Sequence, residues 1–390
     1  MVKKIIVCIS LLLCCSVTWA QGGKLYNAPN QLSSSFISQV FQDSKGFIWI
    51  STRSGLNRYD GYHFTIYKRR NYSAMPSDFV TAVGEASTGQ LLVGYTNALQ
   101  SFDGTAFTSI PLLDEHGKPA NTYIKCITRG RDGRTLVGTS GYGVHIIDKD
   151  LKPHRMGGAF RGLRFVGQLL QDAKGTYWVI DEKHGLREIH GTASRMWFTA
   201  PDVRSSLTSL ATDRRGTLYV GSSSQGLFRL VPGEKTFQPV PLPGNPGVSA
   251  LRLDHQGLLL IGCEGRGVIT YNTLTGAVES NPWHDMTTNI DNSRVISIIE
   301  DNMGSIWMGM SQKGVYLQPR QQSQFRTLGV RTGGNNIIGN NSIRQAFIDS
   351  RGRFWISSER EGIYVLDRDG HQLQHYANIE AALDDAFIAV

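Results

Sequence analysis

The chain predicts an all-β fold, a β-propeller of four-stranded antiparallel blades, and three observations carry that expectation. A turn glycine recurs at Gly46, Gly89, Gly133, Gly175, Gly216, Gly257, Gly304 and Gly352, in steps of about 41 to 48 residues, a period in the range of propeller blades. Around each glycine stand short apolar runs rich in aromatic and β-branched residues, the chemistry of half-buried strands. The composition agrees, since 43 Gly with 40% hydrophobic residues in a chain of 390 suits a turn-rich packed protein and not a disordered one.

The first element is set aside from the fold. Lys3 and Lys4 form a charged lead, Ile5 to Cys15 an apolar core, and Thr18-Trp19-Ala20 a small-residue cleavage pattern, so residues 1–20 read as a signal peptide cleaved after Ala20. The core is too short to prefer a membrane span. Leu12-Leu13-Cys14-Cys15 fits a lipoprotein site less well, because Cys14 stands where a small residue is needed. No later segment holds 18 consecutive apolar residues, so no transmembrane segment is expected beyond the signal peptide. Export leaves Cys126 and Cys263, in the third and sixth repeats. Three blades apart, they are beyond disulfide reach and are expected as buried free thiols, with no metal or redox motif and no cofactor. Losing Lys3 and Lys4 takes the formal charge from +8 to +6. A basic exported chain suits acidic ligands or a membrane surface, chance explains the same balance, and nothing favours nucleic acid.

Each repeat then runs through the same elements. An apolar strand leads into an Asp-x-x-Gly turn, as in Val40-Phe41-Gln42-Asp43, Leu169-Leu170-Gln171-Asp172, Ile298-Ile299-Glu300-Asp301 and Phe347-Ile348-Asp349. Asp accepts backbone N–H groups across such a turn and Gly takes the positive φ that closes it. The second strand carries Trp49, Trp178, Trp307 or Trp355. A residue needed once per blade points to packing between blades more than to sugar stacking, and the recurring Asp to a turn brace more than to an acid or calcium ligand. A third strand opens at Gly55-Leu56, Gly143-Val144, Gly185-Leu186, Gly226-Leu227, Gly267-Val268, Gly314-Val315 and Gly362-Ile363, with Ala98-Leu99 in the second repeat. Outer strands are expected near Phe64–Tyr67, Phe107, Phe237 and Phe325. The second and third repeats are degenerate, with Ala86 and Gly130 in place of the turn Asp. Blades of this kind stack to bury faces that none can bury alone.

The Gly/Asn-rich stretch Gly333–Asn341 marks a junction. The expected organisation is a signal peptide over 1–20, a seven-bladed propeller over 21–332, and over 333–390 the first blade and start of the next blade of a second propeller, truncated at Val390. A single eight-bladed ring is the competing arrangement.

Asp43-Ser44-Lys45-Gly46-Phe47-Ile48-Trp49-Ile50-Ser51-Thr52, with Gly55-Leu56-Asn57-Arg58-Tyr59-Asp60-Gly61, closely resembles the two-component regulator propeller repeat, with Ser51 where that family prefers Gly. Asp301 to Gly309 and Asp349 to Ser357 resemble it nearly as well, and the likeness runs over residues 24–390. It implies the periplasmic sensor region of a hybrid two-component system. There, two seven-bladed propellers precede an immunoglobulin-like domain, a membrane helix, a histidine kinase and often a response regulator. It further implies a ligand that is an oligosaccharide from a complex glycan, a homodimeric full-length receptor anchored in the inner membrane, and, in this chain, no kinase catalysis. An exported propeller polysaccharide lyase or glycosidase, or a propeller serving only protein interaction, are the alternative functions.

In such blades the loops joining strands two and three emerge on the same face as the connections between blades. These loops vary here, and variable loops on a rigid scaffold carry recognition. Aromatic and forked polar groups suit sugar faces and acidic sugars, which selects Arg53, Tyr95, Tyr142, His184, Arg266 and Lys313 as ligand-binding candidates. The connections Asn71–Ser77, Pro111–Asn121 and Asn281–Asp291, with Trp283 and His284, are placed on the same face. No catalytic residue is assigned.

Overall fold

The computed structural model describes residues 23–198, 206–280, 290–320, 338, 342–368 and 371–377. These form eight four-stranded sheets, every pair of neighbouring strands antiparallel. The chain divides into two compact units, Gly23–Trp283 with Ile290–Gln321, and Met1–Gly22 with His284–Asn289 and Gln322–Val390. The expected signal peptide, Trp283 to Asp285, Phe325, most of Gly333–Asn341 and the last eight residues lie outside the described residues.

The larger unit holds seven sheets. The first runs Ile37–Gln42, Ile48–Thr52, Gly55–Tyr59 and Phe64–Tyr67 from inside to outside. Its turn is built as the sequence dictates. Asp43 Oδ1 accepts the N–H of Lys45 at 3.0 Å and of Phe47 at 2.9 Å, and Gly46 closes the turn at φ +91°. The other carboxylate oxygen accepts the Trp49 indole N–H at 2.8 Å. The same bond joins Trp178 to Asp172 at 3.1 Å, Trp307 to Asp301 at 2.8 Å and Trp355 to Asp349 at 2.9 Å. The Trp rings are buried; that of Trp49 meets Phe102 of the second sheet edge-on at 6.0 Å. They are therefore packing residues and not sugar platforms. Where Ala86 and Gly130 replace Asp, the closing backbone bonds remain, Gly89 N–H to Ala86 O at 3.0 Å and Gly133 N–H to Gly130 O at 3.1 Å, and in the third repeat Asp132 Oδ1 accepts the Arg134 N–H at 3.0 Å.

The innermost strands, Ile37–Gln42, Val80–Glu85, Tyr123–Arg129, Val166–Gln171, Leu207–Thr212, Val248–Leu253 and Val295–Glu300, each touch the next, and the seventh touches the first. Three devices recur around this cycle. A side chain two residues past the first aliphatic of one inner strand accepts a backbone N–H of the following sheet: Gln39 from Val83 at 2.9 Å, Gln168 from Leu210 at 2.6 Å, Ser297 from Val40 at 3.0 Å. The residue ending an inner strand accepts an N–H from the preceding turn: Gln171 from Arg131 at 2.8 Å, Glu300 from His255 at 2.8 Å, Gln42 from Asn302 at 2.8 Å. A glycine in the second strand admits the next sheet's leading aliphatic. A Cβ at Gly94 would lie 2.6 Å from Ile124, at Gly138 2.6 Å from Val166, and at Gly309 2.9 Å from Ile37. All three join the seventh sheet to the first as they join earlier neighbours, so the contacts among the described inner strands run in a cycle of seven.

The seventh sheet is completed from the other end of the chain. Lys24–Tyr26 pairs with Gly314–Gln318, Leu25 opposite Tyr316. The outer strand expected near Phe325 is thus supplied by the N-terminal segment, too short at three residues to announce itself by periodicity. Elsewhere the outer strands fall as expected, Phe64–Tyr67, Phe107–Ile110 and, beside Phe237, Gln238–Val240.

The smaller unit contains the eighth sheet, Ile343–Ile348, Phe354–Ser358, Gly362–Leu366 and Gln372–Tyr376. Ile338, Ile356, Tyr364 and Leu366 form one apolar cluster and Trp355, Val365 and Tyr376 another. Its first strand is exposed throughout. Cys263 is buried, Cys126 only half-buried against expectation, and both thiols are free. Burial pushes each up to about 12.

Candidate ligand-binding site

The residue immediately before the first aliphatic of the inner strand is aromatic in four consecutive sheets: Phe36, Phe79, Tyr123 and Phe165, preceding Ile37, Val80, Ile124 and Val166. Each sits where a connection from the previous blade turns into an inner strand, on the face that also bears the strand-two to strand-three loops. Phe36 is 39% exposed and the other three are half-buried. The Phe79 and Tyr123 rings meet edge-on at 6.5 Å. In the next three sheets the position holds Ser206, Gly247 and Arg294. Half of the face therefore presents an arc of rings and the other half does not.

Cations lie over this arc. The Arg53 guanidinium stands 5.0 Å from the Phe36 ring centre and 5.9 Å from that of Phe79, bridging two sheets. Lys125 lies 5.1 Å from the Tyr123 ring and Lys183 3.9 Å from the Phe165 ring. Lys125 is held by Glu182 at 2.8 Å. Such stacking fixes the cation and leaves its N–H groups for a ligand. The inner strand bends here because a bulge interrupts the pairing of every sheet, between Ile37 and Gln39 in the first, and bulges re-aim side chains.

Of the six residues selected from the sequence, Arg53 belongs to the arc. His184 sits beside it, next to Lys183, with Nδ1 2.9 Å from the buried carboxylate of Asp181. Tyr142 is half-buried and its carbonyl accepts Arg155 Nε at 3.1 Å. Arg266 is exposed, its Nη1 3.4 Å from Pro243 O, and Lys313 donates to Ser293 Oγ at 3.0 Å, both in the half without rings. Tyr95 is not on the loop at all. It ends the strand Leu91–Tyr95, is fully buried, and its hydroxyl has no hydrogen-bond partner. Burial raises its pKa well above the ordinary tyrosine value. The reason is positional: this site closes the loop from inside, as Thr52 does by donating to Gly55 O at 2.8 Å and Thr139 to Gly143 O at 2.8 Å. Among the described residues no hydrogen bond or ion pair joins any two of the six.

Phe36, Phe79, Tyr123 and Phe165 escaped the sequence reading, although their signal was present as an aromatic placed just before each of four inner strands. Of the long connections, Pro111–Asn121 does reach toward Tyr142, since Glu115 pairs with Arg155 at 3.4 Å and Arg164 at 3.8 Å. Asn71–Ser77 buries Met75 and accepts Gln100 Nε2 at Ala74 O, 2.8 Å. Among the described residues there is no group of three or more His, Cys, Asp or Glu able to hold a metal ion, and no helix long and apolar enough to cross a membrane.

Comparison with known proteins adds to this geometry. Residues 31–54 match the model of the two component regulator propeller. No curated protein matches the chain. Among solved structures, the extracellular domain of a hybrid two component system from B. thetaiotaomicron superposes with a TM-score of 0.67 at 17% identity, over 92% of this chain and 49% of that one. A second such domain from the same organism gives 0.59 at 19%, over 90% and 46%. The chain spans about half the length of these two. Virginiamycin B lyase from Staphylococcus aureus gives 0.60 at 15%, over 76% and 98%. At these identities the likeness is one of fold. The family match therefore covers one repeat, residues 31–54, and over the rest of the chain the likeness is to the propeller fold.

Proposed function

We propose that this chain is the ligand-sensing propeller region of a periplasmic two-component receptor, exported by residues 1–20, and that it recognises an oligosaccharide across the loop face of the ring over 21–332, with residues 333–390 opening a second propeller. The single observation that carries the reading is the arc of Phe36, Phe79, Tyr123 and Phe165 with Arg53 lodged between the first two rings. Aromatic rings stack on the apolar faces of sugars, and adjacent guanidinium and ammonium groups suit a saccharide that carries acid groups. The function is binding and not turnover.

The test is calorimetric titration of the full chain with a panel of neutral and acidic oligosaccharides. One or more is expected to bind saturably, and Arg53→Ala and Phe79→Ala are expected to weaken that binding about tenfold or more with unchanged melting temperature. A panel that binds nowhere, or binds both variants as tightly as the parent, overturns the reading. A second reading, an exported propeller lyase or glycosidase, draws on the likeness to virginiamycin B lyase and on the His184–Asp181 pair. Loss of polymer length on incubation with the purified chain would favour it.

A further inference from the structure

The fifth and sixth sheets part on the opposite, turn-bearing face to leave a cleft of about 510 Å³, within the size range of small-molecule sites. One departure from the repeat, at Tyr219, lines it. Tyr219 stands where four other sheets place the Trp that bonds the turn Asp, and its hydroxyl lies a long 3.4 Å from Asp213. Thr217 stands where the first sheet has Phe47. In the first sheet Arg58 covers the Phe47 ring at 4.7 Å. Its counterpart in the fifth sheet, Arg229, has no such ring beneath it.

Arg229 is half-buried and lines the cleft. Its Nη1 donates to the Tyr271 hydroxyl at 3.2 Å, its Nε is buried with no partner, and among the described residues it has no ion pair. Arg215 lines the same cleft, with Nη2 donating to Thr273 O. The nearest carboxylate, Asp213, is 3.7 Å from Arg215 and already accepts the N–H groups of Arg215 and Thr217 at 2.9 and 2.8 Å. Two guanidinium groups thus line one recess that no acid lines, and a half-buried cation without a counter-charge is costly. A carboxylate or sulfate matches the open edge of such a fork.

We propose that the cleft bounded by Arg215, Arg229, Tyr219 and Tyr271 is a second binding site, for a small oxyanion-bearing ligand whose carboxylate or sulfate group is held by the two arginines. It does not rest on the loop-face reading.

Calorimetric titration of the full chain at constant ionic strength with sodium glucuronate, sodium sulfate and, as the neutral probe, glucose tests it. Glucuronate, sulfate or both bind saturably and glucose does not, and the anion that binds identifies the group held. Arg229→Gln and Arg215→Gln each weaken that binding about tenfold or more, the loss of one charge-assisted hydrogen bond. Arg215 is exposed, so its variant keeps the test if Arg229→Gln does not fold. Phe79→Ala, on the other face, leaves the affinity unchanged. No saturable binding of either anion, parental affinity in the folded arginine variants, or an equal loss in Phe79→Ala overturns the assignment.

Discussion

Ser297 Oγ accepts the backbone N–H of Val40 at 3.0 Å across 257 residues of chain. The bond fastens the seventh sheet to the first in the way Gln39 fastens the first to the second. Ser297→Ala leaves that N–H, on the free edge of an inner strand, without its acceptor. The expected cost is about 1 kcal/mol or more, read as a lower urea midpoint at unchanged slope. An unchanged midpoint would mean that water replaces the hydroxyl at no cost.

Gly138 is one of the tight seam glycines, because its Cβ would meet both Cys126 Sγ and Val166 Cγ1 at 2.6 Å. Gly138→Val overfills a seam that already holds Leu136, Val144 and Val166. Overpacking of this kind costs about 1 to 3 kcal/mol. The melting temperature should fall by several degrees, while a valine at the exposed turn Gly265, where a Cβ meets nothing, shows only the milder strain of its positive φ.

Asp301 braces its turn through the N–H groups of Met303 and Ser305 at 2.9 and 2.8 Å and takes the Trp307 indole at 2.8 Å. Asp301→Ala strands that buried indole N–H, and about 2 to 3 kcal/mol should be lost. The second repeat shows the alternative solution, Ala86 in the turn with Leu92 in the Trp position. Asp301→Ala combined with Trp307→Leu should therefore cost less than the two single losses added together, a coupling that a double-mutant cycle in urea measures.

Acid stability follows from the outer turns. Asp60 accepts the N–H of His63 at 2.7 Å and of Tyr62 at 2.8 Å, which lowers its pKa. Asp103 accepts the N–H of Ala106, the Thr105 hydroxyl and the Thr105 N–H, which bring it to about 2. A carboxyl lowered by folding contributes stability that is fully present above its unfolded value, about 4, and lost as pH falls through the folded one. These carboxyls should add a decline in melting temperature between about pH 4 and 2. Asp103→Asn should make that decline shallower, and an NMR titration placing Asp103 near 4 would refute the attribution.

The periodic parts of the fold were legible because they are over-determined. Asp43, Gly46 and Trp49 each serve one bond or one φ that the blade needs, and the need repeats. Lys24–Tyr26 was not legible, since its partner lies at the far end of the chain and a three-residue strand carries no pattern. Tyr95 misled because it ends its strand at the position Thr52 holds in the first repeat, directly before the loop, and a buried closing position admits Thr, Ser or Tyr alike. Phe36, Phe79, Tyr123 and Phe165 were visible in the sequence as a column, but a column read only along the chain looks like four unrelated loop aromatics. Packing around an axis is what makes them neighbours.

The strand that completes the seventh sheet precedes all the others, and Gly23 donates its N–H to the Tyr316 hydroxyl across 293 residues. Stacked repeats can assemble piecemeal from any starting point, yet here the earliest segment has to wait, unpaired, until almost the whole ring has been made. Maturation should accordingly end in one late, slow docking event, and the interval before it is when a partly assembled chain is most open to proteases.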